Sequence, residues 1–205
     1  GLVADKTFES LLNIETETEI ASEFRYKNPI VDERTLAIFI SQSGETADTI
    51  ASLKLAKRKH CKTIAISNVY GSSITRVADY SIYTHAGPEI AVASTKAYTS
   101  QIMLLELLAI HFAKMLGRGN ELIVKLKKDL LKLPEAIEET LKCTEEVKYI
   151  ASEVYQEKDI FFIGRGIDYP VTLEASLKLK EISYIHSDAY PAGELKHGPI
   201  ALIEN

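Results

Sequence analysis

Cysteine is scarce in this chain: Cys61 and Cys143 are its two thiols, far apart and without metal-ligand spacing. They form neither a zinc motif nor a disulfide framework, and read as reduced, small, partly buried residues of a cytoplasmic protein. Positive charge is also in deficit. The net charge is −5, and no basic stripe with interleaved aromatics occurs, which argues against a nucleic-acid partner. The five histidines, His60, His85, His111, His186 and His197, make no ligand cluster, so no metal and no other cofactor is expected. Long apolar runs are missing. The most apolar segment, 97–116, is interrupted by Glu106, His111 and Lys114. Its uncharged stretches fall well short of the roughly 18 residues of a membrane span, so it reads as a helix in a core. The N-terminus has the marks of neither a signal nor a transit peptide. What remains is an ordinary globular composition, 46% hydrophobic and 26% charged over 205 residues, enough for one large domain or two small ones.

Apolar β-branched runs alternate with helical patterns. Helix is predicted over 2–12 and a short strand over 16–21. A strand over 35–40 follows, then a helix over 47–59, a strand over 62–67, a short helix from Gly71-Ser72-Ser73 to Ala78 and a strand over 80–84. A long helix begins at Ser94-Thr95, and Gly117 and Gly119 break it. Two helices are expected next, over 121–132 and 134–156, with apolar stripes and solvated charged faces. A new unit opens with a strand over 160–163, a Gly164-Arg165-Gly166 turn and a helix over 171–186. This alternation predicts an α/β protein whose parallel sheet is covered on both faces.

The segment Ser41-Gln42-Ser43-Gly44-Glu45-Thr46 stands between the first such strand and its helix. The first N–H groups of a helix lack internal partners and carry partial positive charge, which makes an anion site. Three hydroxyls and the Gln42 amide add donors, and Gly44 allows close backbone approach. The segment contains no Lys or Arg, which suits a sugar phosphate better than a nucleoside triphosphate with its metal. It matches neither the Gly-Lys-Ser/Thr phosphate loop nor the Gly-x-Gly-x-x-Gly fingerprint. The plainer reading is that Ser43 or Thr46 simply caps the helix.

On the 171–186 helix, Glu174, Lys178 and Glu181 share one narrow sector. Leu173, Leu177 and Tyr184 flank it on one side, and Val171, Ala175, Leu179 and Ile182 on the other. Thr172, Ser176, Lys180 and Ser183 take the opposite face, expected to meet solvent. The apolar flanks point to a partly buried charge line that tunes an acid or base. The alternative is a surface ion-pair ladder of small worth. His197, in Gly193-Glu194-Leu195-Lys196-His197-Gly198-Pro199, is either an exposed loop histidine or an acid–base group.

Several stretches together resemble the isomerase region of the glutamine–fructose-6-phosphate aminotransferase family, the glucosamine-6-phosphate synthases. They are Glu19-Ile20-Ala21-Ser22-Glu23-Phe24-Arg25-Tyr26, the segment from Ile40 to Thr49, Val92-Ala93-Ser94-Thr95-Lys96-Ala97-Tyr98, the segment from Leu177 to Tyr184, and the segment from Ala192 to Pro199. The serine-rich loop alone marks the wider sugar isomerase (SIS) superfamily, and the last two stretches are more specific.

The resemblance implies a three-layer, flavodoxin-like parallel-sheet SIS fold. It implies two subdomains, 1–130 and 131–205, both expected to be incomplete. Ser41, Gln42, Ser43 and Thr46 would bind the phosphate of fructose 6-phosphate, and Val92 and Ser94 would line the sugar site. Glu181 would move the proton between C1 and C2 with help from Lys178. His197 would assist ring opening and reach the neighbouring subunit's site, which implies a homodimer. The product would be glucosamine 6-phosphate, with ammonia supplied by a glutaminase domain elsewhere in the parent polypeptide. The family's first strand with its Cys-Gly-Thr-Ser turn, and its C-terminal Schiff-base lysine, have no counterpart here. The stretch alone is therefore expected to be inactive. Two other readings remain: a non-catalytic sugar-phosphate sensor, which has no use for the Glu174–Lys178–Glu181 line, and a different sugar-phosphate isomerase or deaminase.

Overall fold

The computed structural model describes residues 1–203, the Asn120 side chain excepted; the last two positions of the expected second subdomain, Glu204 and Asn205, lie outside them. The chain forms two compact units. One comprises 1–9 and 14–108, the other 10–13 and 109–205.

In the first unit, α1 (Leu2–Leu12, its last residues in the second unit) and the single turn α2 (Ala21–Phe24) precede three strands. These are β1 (Leu36–Ser41), β2 (Lys62–Ser67) and β3 (Tyr80–Tyr83), linked by α3 (Ala47–Arg58) and α4 (Ser73–Val77). They pair in parallel in the order β1-β2-β3, Ile38 facing Ile64 and Ile64 facing Tyr80. Every residue of β2 from Thr63 to Ser67 is buried, so both faces of the central strand are covered. That is the environment of a parallel strand between helical layers. Leu53 of α3, Ala65 of β2 and Ile74 of α4 form the core, with Phe39, Ile50, Val77 and Ala78 around them. α3 buries Thr49, Ser52, Leu53 and Ala56, the spacing of one helical face. Because the strands are parallel, the loops after β1, β2 and β3 all leave from the same sheet edge. The last of them leads into α5 (Lys96–Met115).

Asp79, just before β3, fastens this sheet. Lys57 Nζ donates to Asp79 Oδ1 at 2.7 Å, and the Thr63 N–H and hydroxyl donate to Oδ2 at 2.9 and 2.8 Å. The Lys57 bond first, then those from Thr63, hold the Asp79 carboxyl down to about 2 from its ordinary 3.8. A carboxyl with a depressed folded-state pKa stabilises above its unfolded value and loses that effect as pH falls through the folded one. Asp79→Asn is therefore expected to lower stability at neutral pH. The gap from wild type should close between about pH 4 and pH 2, as read by denaturation midpoints across that range. A gap that stays constant with pH would contradict this assignment.

The second unit contains α6 (Asn120–Leu141), α7 (Thr144–Val154), β4 (Asp159–Gly164), α8 (Asp168–Ser183) and β5 (His186–Pro191). Two 3-10 turns follow, Leu195–His197 and Pro199–Leu202. β4 and β5 pair in parallel, Asp159 facing His186, and α8 packs against both.

The α/β class, the parallel pairing and most elements match expectation. Residues 16–20 form no strand: they are irregular and lead into α2. Their alternation sets glutamates against threonines and Ile20, which is 71% exposed, so no buried face draws them into a sheet. Pro134 does not end a helix: α6 runs through it and stops at Leu141. Pro134 removes one helical donor, that to the Leu130 carbonyl, at the start of a stretch, 131–150, that is exposed throughout. α8 ends at Ser183 rather than His186, with Tyr184 left-handed as its C-cap, and β5 follows at once. Cys61 is buried as a small core residue, but Cys143 is exposed at the junction of α6 and α7. Among the described residues no helix is long and apolar enough to cross a membrane.

Candidate functional site

Ser41 ends β1 with its side chain buried, and its Oγ accepts the Gly44 N–H at 3.0 Å. The chain turns at Gly44, where φ is +67°. A Cβ there would lie 2.1 Å from Ser72 Oγ and 2.8 Å from Ser67 Oγ. Glycine is thus required twice, for the backbone angle and for the approach. Thr46 Oγ1 lies 3.4 Å from Ser41 Oγ, turned back over the loop. Thr46 is the N-cap residue of α3, yet its side chain makes no capping bond. Ser43 Oγ accepts the Glu45 N–H at 3.2 Å, a bond inside the turn. The plain capping role is therefore not the one these hydroxyls play. The Ser41 and Thr46 hydroxyls meet, and Ser43 bonds within the turn, at an uncapped helix start with no cation in the loop; Gln42 lies in the same turn.

Asn68, which sequence reasoning passed over, ties this loop to the next ones. Its N–H donates to the Gln42 carbonyl at 3.0 Å. Its side chain accepts from Thr84 Oγ1 and the Ala86 N–H at 3.0 and 2.9 Å, and donates to the Gly87 carbonyl at 2.7 Å. The signal available was positional: Asn68 directly follows β2 at the edge where Gln42 follows β1. Ser67 and Ser72, both buried with their hydroxyls 3.3 Å apart, form the floor under Gly44.

The loop after β3 carries Val92, 87% exposed, and Ser94. Glu89 organises this segment, and it too was missed. Its Oε2 accepts the Ala97 and Thr95 N–H groups at 3.0 and 3.3 Å and faces Ser94 Oγ at 3.4 Å. The Ala97 bond first, despite some burial, holds the Glu89 carboxyl below its usual range.

In the second unit, Lys178 Nζ meets Glu181 Oε2 at 2.5 Å and Glu174 Oε1 at 3.4 Å. The three side chains are 23–27% exposed, so the line is half-buried. Burial works to lower the Lys178 pKa, but the Glu181 hydrogen bond and the two negative charges outweigh it and raise it. The ammonium thus stays charged beside both carboxylates. The flanks are more open than expected, with Leu177 and Val171 near half exposure and Tyr184 at 91%. The face of α8 expected to meet solvent does not do so throughout. Ser176 is buried against β5, its Oγ donating to the Ser187 carbonyl at 3.0 Å while Ser187 Oγ donates to the Ser176 carbonyl at 2.9 Å. Small hydroxyl side chains let helix and strand approach closely and satisfy each other's carbonyls, which a polarity pattern reads as solvent exposure. His197 is exposed at the end of a 3-10 turn, its N–H donating to the Glu194 carbonyl at 2.9 Å. Among the described residues no hydrogen bond or ion pair joins its ring to Lys178 or Glu181, and no acidic, histidine and cysteine cluster suited to a metal occurs.

A model of the SIS domain matches residues 1–111 and 153–205. The chain belongs to the SIS domain family. Over all 205 residues it is 59% identical to the glutamine–fructose-6-phosphate aminotransferase (isomerizing) of Clostridium tetani. It is 58% identical to the enzyme of the same name from Caldanaerobacter subterraneus subsp. tengcongensis. The chain spans 34% of the length of each of these curated relatives. Among solved structures, the C-terminal domain of glucosamine-fructose-6-phosphate aminotransferase from Francisella tularensis superposes with a TM-score of 0.95 at 41% identity. That match covers the whole of this SIS chain and 58% of the other. The SIS model leaves 112–152 unmatched, the stretch that holds α6 and all but the last two residues of α7.

Proposed function

We propose that this SIS chain serves ketose–aldose isomerisation of fructose 6-phosphate on the way to glucosamine 6-phosphate, as part of an isomerizing glutamine–fructose-6-phosphate aminotransferase. The observation that carries the reading is the loop from Ser41 to Thr46: three hydroxyls, a left-handed glycine and an uncapped helix start, without a cation. Such a cradle suits a phosphate monoester held by neutral dipoles. The identity to aminotransferases along every part of the chain supports the same assignment.

In this reading Ser41, Gln42, Ser43 and Thr46 hold the phosphate, and Val92 and Ser94 contact the sugar. Glu181 takes the proton from C1, beside the C2 carbonyl, and returns it to C2, while a proton passes from the C1 hydroxyl to the C2 oxygen so that the carbonyl ends at C1. Lys178, bonded to Glu181, holds that carboxylate in position. His197 serves ring opening from one copy of a homodimer to the other. Ammonia comes from a glutaminase domain of the same polypeptide.

The test is a thermal-shift titration of the protein with fructose 6-phosphate against unphosphorylated fructose. A ligand that binds only the folded state raises the midpoint with concentration, by about 2.7 kcal/mol of stabilisation at a hundred times its Kd. A shift with the phosphate ester and none with fructose supports the cradle. Equal response to both sugars removes it.

A further inference from the structure

Glu45 is an anomaly in a loop read as a phosphate cradle. A carboxylate beside a dianion opposes binding, yet Glu45 sits inside the donor segment. Its position resolves this. Glu45 Oε1 accepts the Ser73 N–H at 2.7 Å, and Oε2 faces Ser73 Oγ, which donates at 2.6 Å. The adjacent Gly44 carbonyl accepts the Ile74 N–H at 3.0 Å. Three bonds therefore join two consecutive loop residues to the first turn of α4. The Ser73 hydroxyl first, then its N–H, hold the Glu45 carboxyl below its usual range, with Arg76 adding to the same direction.

We infer that Glu45 is a positioning residue, a strut that clamps the anion loop onto the start of α4 and directs its own charge away from the ligand. The inference rests on the phosphate reading of the loop and adds to it the means by which the donors are held. Glu45 is engaged with Ser73, while Ser41 Oγ and Ser43 Oγ accept the Gly44 and Glu45 N–H groups, which leaves hydroxyl protons in the turn to offer a ligand. An ordered loop does not need to be immobilised when the anion arrives, which is where preorganisation gains affinity.

This inference and simple electrostatics predict opposite signs. If Glu45 acted only through its charge, its removal would tighten binding of a dianion. If it acts as a strut, Glu45→Ala weakens binding. The experiment is calorimetric titration with fructose 6-phosphate and, separately, with inorganic phosphate, beside amide hydrogen exchange of residues 43–46 without ligand. Glu45→Ala is expected to bind both probes about tenfold more weakly, and its loop amides to exchange at least about tenfold faster. Glu45→Gln, whose amide still accepts from the Ser73 N–H and donates to Ser73 Oγ, is expected to stay within about threefold of wild type.

A second route keeps the charge. Ser73→Pro removes both donors to Glu45 at the first position of α4, where proline is tolerated and where Ser72, at ψ 162°, already has the backbone a following proline requires. It should weaken binding as Glu45→Ala does, and it decides the matter if Glu45→Ala does not fold. Unchanged or tighter binding in Glu45→Ala or Ser73→Pro overturns the strut. Failure of the phosphate reading looks different: wild type would not distinguish fructose 6-phosphate from fructose, while faster loop exchange in Glu45→Ala would still support the strut.

Discussion

Glu181→Gln is expected to reduce isomerisation of fructose 6-phosphate by about a thousandfold while leaving its binding within about threefold of wild type. Glutamine has the shape of glutamate and still accepts a hydrogen bond from Lys178, so α8 keeps its packing. What it loses is the ability to take a proton. Lys178 is 2.5 Å from Glu181 and only 3.4 Å from Glu174, so the charge pairing in the wild type is weighted toward the group that would do the chemistry. The proposed phosphate donors belong to a different segment, the turn after β1, which is why affinity and turnover should separate. The measurement is turnover and ligand affinity in a form of the polypeptide that isomerises the sugar. Wild-type-like turnover in the variant would rule Glu181 out as the base.

Gly44→Ala should be nearly as damaging, but through structure. The added methyl meets Ser72 Oγ at 2.1 Å, Ser72 Cβ at 2.6 Å and Ser67 Oγ at 2.8 Å. Both serines are buried, so neither can swing aside into solvent. The left-handed backbone angle adds about 1–2 kcal/mol for any residue with a Cβ, and overpacking a filled site adds about 1–3 kcal/mol. The expected result is a loss of about 2–5 kcal/mol in unfolding free energy, together with loss of fructose 6-phosphate binding. A variant with wild-type melting and affinity would mean that this turn is not the rigid cradle described.

The parts of this architecture legible in the sequence are those with strong local chemistry. β1 and β2 are β-branched and apolar, and α3 and α5 begin and end on recognisable signals. The donor loop was readable because a strand, a hydroxyl-rich turn and a helix start follow one another within a few residues. Elements shaped by tertiary contacts were not. β5, His186-Ser187-Asp188-Ala189-Tyr190-Pro191, has almost no apolar pattern and is a strand because β4 pairs with it and α8 covers it. Ser176 looked like a solvent residue because polarity cannot distinguish a hydroxyl bonded to water from one bonded to a neighbouring carbonyl. Asn68 and Glu89 act through contacts with backbone groups many positions away in the chain, and such contacts leave no periodic trace.

The buried serines of α8 and β5 have a mechanical consequence. Each hydroxyl reaches the other residue's carbonyl, so the pair resists both sliding of the helix along the strand and rolling of the helix about its own axis. At about 100° per residue, Lys178 and Glu181 project from the side of the cylinder roughly opposite Ser176. The aim of the proposed base is therefore governed from behind, by two small side chains that never meet the sugar.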